Sequence, residues 1–272
     1  MRGIHAMIDA HRQRMQSVKQ KLGYMPENQP PKRAPRKAPS PFEGPKPRAV
    51  IPAISARKVI RKSTASCRLS VSARHVGDDA IMIREQESYQ EYRIFVCLEN
   101  NPLTERIDTQ ALRVTYEDKR IDKDRHHYPD LIVRLRDDRK IAVLVKPWKL
   151  SQDKEFLTKV AMMRADLMPE VFDNILVRTE RHVTEVQFRN ALLIRNYRRS
   201  QDPDADQQIA AFAATLADEI SVQSLINWTG LGERAFPAVV RAIGTGLFSV
   251  RRGTLIEPDG WVIPVGMARG DI

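Results

Sequence analysis

Cysteine is nearly absent. Cys67 and Cys97, thirty positions apart, are the only two in 272 residues. That excludes a disulfide framework and a cysteine zinc set, and it makes the reducing cytosol the default compartment. No apolar run approaches the roughly 20 residues of a helical membrane span, and the polar, basic start of the chain lacks the apolar core of a secretory signal. Metal-ligand spacing is missing around His126 and His127, which read instead as surface or DNA-facing residues. Acids are scarce at the front: residues 1–80 hold 17 lysines and arginines against 5 aspartates and glutamates, while the remaining 192 hold 28 against 29. The net charge of +11 therefore resides in that first stretch. A positive arm on near-neutral domains suits a phosphate backbone, because each neutralised phosphate releases counterions. The alternative is a merely solubilising tail.

What the chain does contain divides it into four parts. At residues 1–24, Ile4, Ile8, His11, Met15, Val18 and Leu22 form a heptad-like stripe on a basic, Gln-rich helix, either partner-docking or marginal. Residues 25–55 are proline-rich: Pro26 to Pro52 carry nine of seventeen prolines together with Lys32, Arg33, Arg36 and Lys37, so an extended, disordered basic linker is expected. The basic run continues through Arg57, Lys58, Arg61 and Lys62 into a region, 56–200, where strand and helix patterns alternate. That alternation implies an α/β arrangement, helices packed on a mixed sheet. Within it, Ile81 to Ile83 reads as a strand, Asp153 to Leu167 as a helix with Phe156, Leu157, Val160, Ala161 and Leu167 on one side, Asn174 to Arg178 as a strand and Val186 to Tyr197 as a helix. Arg195, Arg198 and Arg199 crowd the end of that last helix, where its dipole favours positive charge. Gln201-Asp202-Pro203-Asp204 marks a boundary. Residues 201–272 then read as helices over Asp206 to Ile220, from Ser221, and over Glu233 to Ile243, followed by a hairpin through Leu247 to Arg252 and Trp261 to Val265. Three helices and a hairpin in that order describe a winged helix.

The most informative stretch runs from Glu87 to Lys146. Tyr92, Ile94, Phe95 and Leu98 recur at helical spacing until Asn100-Asn101-Pro102 stops the helix. Ala111 to Tyr116 reads as a strand and Glu117 to Arg125 as a charged turn. Leu131 to Leu135 and Ile141 to Val145 form a hairpin around Arg136-Asp137-Asp138-Arg139-Lys140. An acid on the helix, Glu91, an acid opening one strand, Asp130, and a lysine closing the next, Lys146, are the parts of a metal-dependent nuclease. One acid supports the site, one holds a divalent cation, and the lysine steadies the attacking water.

Glu87-Ser88-x-x-Glu91, Gln110 ahead of a strand, Tyr128-Pro129-Asp130, Val145-Lys146-Pro147 and Val177-x-Thr179-Glu180 together resemble the endonuclease subunit of heteromeric transposases, the TnsA type. The motifs span about residues 85–180, and the resemblance continues by pattern beyond them. It implies a restriction-endonuclease-like domain followed by a winged helix, and Mg²⁺ or Mn²⁺ held by Asp130 and Glu91. It also implies a DDE-type transposase subunit and an AAA-type ATPase regulator as partners. The chain departs from the family at Leu144, where an acid or glutamine stands two positions before the lysine. Because a strand alternates faces, Leu144 and Lys146 point the same way, and leucine coordinates nothing. A donor could come instead from Glu87, Asp124 or Asp153.

Each residue has a bland reading as well. Glu91 fits a solvated helical carboxylate, Asp130 a strand-entry turn, Lys146 a snorkelling edge lysine and Gln110 a structural role. Arg234 and Arg241 are the only cations offered by the third C-terminal helix, with Arg251 and Arg252 at the wing. Two functions stand: an endonuclease subunit cutting transposon ends, and a nuclease-fold DNA-binding adaptor that no longer cuts.

Overall fold

The computed structural model describes residues 50–53, 55–56, 67–73 and 81–265. The helical stripe of residues 1–24, the proline-rich segment up to residue 49, and Lys32, Arg33, Arg36, Lys37, Arg57, Lys58, Arg61 and Lys62 lie outside them. The protein is mixed α/β, with several sheets flanked by helices. No helix among the described residues is long and apolar enough to cross a membrane.

Three strands come first: β1 (Val50–Ile51), β2 (Leu69–Ala73) and β3 (Ile81–Gln86), with β3 central, parallel to β1 and antiparallel to β2. Val50–Ile51 thus pairs its backbone, although proline content assigns it to an unpaired linker. Helix α1 (Tyr89–Glu99) follows, and then β4 (Thr104–Thr109), β5 (Val114–Asp118), β6 (Lys123–His127), β7 (Leu131–Leu135) and β8 (Lys140–Val145). After them come α2 (Trp148–Ser151), α3 (Lys154–Leu167), β9 (Asn174–Arg178) and α4 (Glu185–Arg198). The last part contains α5 (Pro203–Ala213), β10 (Ile220–Ser221), α6 (Val222–Thr229), α7 (Ala235–Thr245), β11 (Phe248–Val250) and β12 (Trp261–Pro264).

A four-stranded sheet in the order β4-β7-β8-β9 is antiparallel except for the parallel β8–β9 pair. Strand alternation distributes its side chains to two layers. Leu131, Val133, Val143 and Val145 pack with Ile94 and Phe95 of α1 and Phe188 and Ala191 of α4. Ile132, Ala142 and Leu144 pack with Val160, Met163 and Leu167 of α3 and with Val114 and Tyr116 of β5. Full burial of an aliphatic or phenylalanine side chain such as Leu144 or Phe95 stabilises the fold by roughly 1.5–3 kcal/mol.

The helices start where side chains accept the first free N–H groups. Ser88 Oγ accepts from Glu91 N, Asp153 Oδ1 from Phe156 N, and Thr184 with Gln187 forms a capping box. On α3 the buried stripe is Val160, Met163 and Leu167, whereas Leu157 and Ala161, grouped with it from spacing alone, are exposed. The arginines ending α4 do more than answer a dipole. Arg195 Nε lies 2.8 Å from Glu99 Oε2 and its Nη2 donates to Ser72 O at 2.6 Å, so α4 is pinned to α1 and β2.

Four further segments differ from the sequence expectation. β4 was not expected at all, and β6 occupies much of the anticipated charged turn. Strand β5 begins at Val114 instead of Ala111. Helix α5 ends at Ala213, and Ile220, expected to close it, lies in β10, which pairs with β12 to make a three-stranded β10-β12-β11 sheet. Ile209, Leu225, Val239, Val240, Phe248 and Val262 share a third core with Ile194 of α4. Gly244 is required there: a Cβ at that position would come within 2.5 Å of Ile194 Cγ2.

Candidate active site

Asp130 immediately precedes β7. Its carbonyl accepts from Gln110 N at 3.1 Å, and its Oδ2 accepts from Val145 N at 2.7 Å. The carboxylate is thereby held at the end of the sheet where β7 begins and β8 finishes. Gln110 is buried with a positive φ of 46°, a turn that brings the chain beside Asp130.

Glu91 reaches the same place from the first turn of α1. It is 7% exposed. Its Oε2 accepts from Glu87 N at 2.8 Å and its Oε1 from Ser88 Oγ at 2.9 Å, the reciprocal half of the cap that starts the helix. Burial, then the charge of Asp130, push Glu91 up to about 7 against the opposing hydrogen bonds from Glu87 and Ser88. A carboxyl whose ionisation is hindered by burial and by a second carboxylate beside it forms, with that neighbour, an acid pair suited to a cation or to proton transfer.

Lys146 follows β8. Its N–H donates to Arg178 O at 3.0 Å, and its carbonyl accepts from Gln90 Nε2 at 3.2 Å, which ties it to both β9 and α1. Below it on α3 is Lys159, whose Nζ lies 3.1 Å from His127 Nδ1. Burial and then the Lys146 charge lower the Lys159 pKa, and the Asp130 charge opposes them. Glu91, Asp130 and Lys146 therefore gather at one end of the sheet, together with Lys159, which sequence reasoning passed over. The available signal was position: Lys159 stands three residues after Phe156 and one before Val160, at the border of the apolar stripe of α3.

Leu144 is 1% exposed and sealed in the α3 layer. Of the substitute donors, Glu87 stands beside Glu91, whose carboxyl its charge helps to raise, and the other two are placed elsewhere. Glu87 lies 3.3 Å from Arg68, Asp153 caps α3, and Asp124 is exposed on β6. Among the described residues no group of three or more histidines, cysteines or acids is arranged to hold a metal ion. The donor set is thus two carboxylates, which fits a Mg²⁺-like cation that keeps several waters and takes further oxygens from a phosphate, and does not fit an all-protein cage. Asp130 and Glu91 would hold such an ion, and it would supply Lewis-acid stabilisation of a phosphoryl oxygen.

The late motif has a structural part. Both Glu180 carboxylate oxygens accept from Trp148 N, at 3.2 and 2.9 Å, Arg181 stacks over the Trp148 ring at 4.0 Å, and Thr179 is buried. Between this turn and α1 lies a cleft of about 280 Å³, with Tyr89, Gln90, Ile94 and Val183 among its walls. No protein-family model matches the chain, and a search of curated proteins returns no match.

Proposed function

We propose that this chain is a DNA-binding subunit of a heteromeric transposase, with a restriction-endonuclease-like domain followed by a winged helix, that cuts DNA phosphodiesters with Mg²⁺ or Mn²⁺. One observation carries the reading: Asp130 lies near enough to Glu91 for its charge to help raise the Glu91 carboxyl to about 7, at the sheet end that also bears Lys146. In this reading the two acids hold the cation and Lys146 positions water, with a DDE-type transposase and an AAA-type ATPase as companions. The basic residues of the N-terminal arm supply sequence-independent grip on the backbone.

A second reading has its own support. Buried Leu144 removes a donor, which favours an adaptor that binds DNA without cutting. The C-terminal arginines fit a protein-docking role better than base reading, because Arg234, Arg241 and Arg251 are each engaged by acids of the same chain.

A plasmid-nicking assay separates the two. Wild type with Mg²⁺ or Mn²⁺, in the presence of the companion transposase, is expected to nick, and Asp130→Ala is expected to lose this. Salt-sensitive DNA binding with no nicking in either protein would select the adaptor.

A further inference from the structure

We propose that Lys159, seated by His127, is a phosphate-binding residue: its ammonium group, beside Asp130 and Lys146, grips a DNA phosphate. The inference rests on the nuclease-fold reading of this sheet end and adds to it a residue outside the recognised motifs.

The placement follows from three elements. α3 lies on the face of the sheet that contains Leu144, with Val160 in the same apolar layer, so the residue before Val160 emerges at the border of that layer. Lys146 follows the last residue of β8 and still donates its N–H to Arg178 O of β9, so strand alternation carried one residue on sets it on the face of Leu144. His127 ends β6, three residues before Asp130, and its Nδ1 is 3.1 Å from Lys159 Nζ. An ammonium group has only protons to give, so the imidazole nitrogen is the acceptor and the contact aims the cation without neutralising it.

Lys159 lies close enough to Lys146 and Asp130 to feel both charges, so two ammonium groups stand beside one carboxylate at this corner. An incoming phosphate supplies the missing negative charge.

The test uses the full chain and a short labelled DNA duplex in EDTA, with affinity followed across salt concentration. Lys159→Met is expected to flatten the dependence of log K on log salt by about 0.9, the loss of one phosphate contact. Lys159→Arg is expected to keep the wild-type slope, and His127→Phe to fall between the two. Thermal melting of Lys159→Met should not fall, because the change removes a half-buried charge. A wild-type salt slope in Lys159→Met overturns the proposal. Nicking assays on the same preparations keep the two ideas apart. If wild type fails to nick but Lys159→Met still loses slope, the cutting function falls and the phosphate site stands. If wild type nicks and Lys159→Met binds with unchanged slope, the phosphate site falls alone.

Discussion

The end of the four-stranded sheet and the C-terminal helices handle charge in opposite ways. In the C-terminal part, each of three arginines is closed onto an acid. Arg234 donates twice to Asp202 at 2.7 Å and also to Asp204, Arg241 pairs with Asp206 at 2.7 Å and with Ser200 O, and Arg251 pairs with Glu219. Hydrogen bonding from Arg234 pulls Asp202 down to about 2, the sign of a charge that the fold favours. At the sheet end the shifts of Glu91 and Lys159 run the other way. Glu91 is raised and Lys159 is lowered, so both are ionised at a cost to the folded state. Shifts of this kind cluster at functional sites, which is what marks the sheet end as the candidate. The C-terminal pairs hold the fold together.

The contrast can be broken at β8, where Leu144 is buried in the core two residues before Lys146. Leu144→Gln restores an amide at the position where the resembling family has an acid or glutamine, but here it enters a dry layer with Val160 and Met163. The expected cost is about 3 kcal/mol, from lost leucine packing and a poorly satisfied amide, read as a lower urea midpoint with no gain in nicking. Unchanged stability together with faster nicking would mean that the site extends through Leu144 and that β8 carries no boundary between core and site.

Arg241→Ala tests the other side. The guanidinium is 8% exposed and its partner Asp206 is 37% exposed, so the loss is smaller than for a fully buried pair, about 2 kcal/mol. DNA affinity should be unchanged. A DNA-binding defect without destabilisation would return Arg241 to the role of a reading residue.

The elements legible in the sequence were those with two supports. Lys154–Leu167 and Glu185–Arg198 have both apolar periodicity and a capping residue, and Leu131–Leu135 with Asn174–Arg178 are short β-branched runs bounded by turns. Thr104–Thr109 was hidden because it pairs only with β7, at the sheet edge, and Ile107 is its lone apolar residue. Lys123–His127 was hidden because it pairs only with β5 and has almost every side chain exposed, so it shows no alternation. The stretch after Ala213 misled in the opposite direction. Leu216 and Ile220 reach the third core from a turn and a strand, continuing an apolar spacing after the helix has stopped. Of the candidate site, Glu91, Asp130 and Lys146 stand out in the sequence as residue types at strand and helix ends, and the fold brings them to one end of the sheet. Lys159 was not, because its neighbours His127, Asp130 and Lys146 are brought to it only by packing α3 against the sheet.

The smallest effect expected is on Glu91, and its sign makes it diagnostic. A carboxyl whose pKa is raised from 4.5 to about 7 in the folded protein binds its proton more tightly folded than unfolded. Ionised Glu91 therefore penalises folding above pH 7, and the penalty is relieved as pH falls from about 7 towards 4.5. Glu91→Gln removes that ionisation but weakens the acceptors for Glu87 N and Ser88 Oγ, so the net gain above pH 7 should be about 1 kcal/mol, and the wild-type rise in stability on acidification should flatten. Asp130→Asn removes the second cause of the shift and should lower the Glu91 midpoint seen by NMR titration. If Glu91 titrates near 4.5 in wild type, or if Glu91→Gln is less stable at every pH, the carboxylate belongs with Asp202 as a charge the fold uses, and the sheet end is no different from the C-terminal helices.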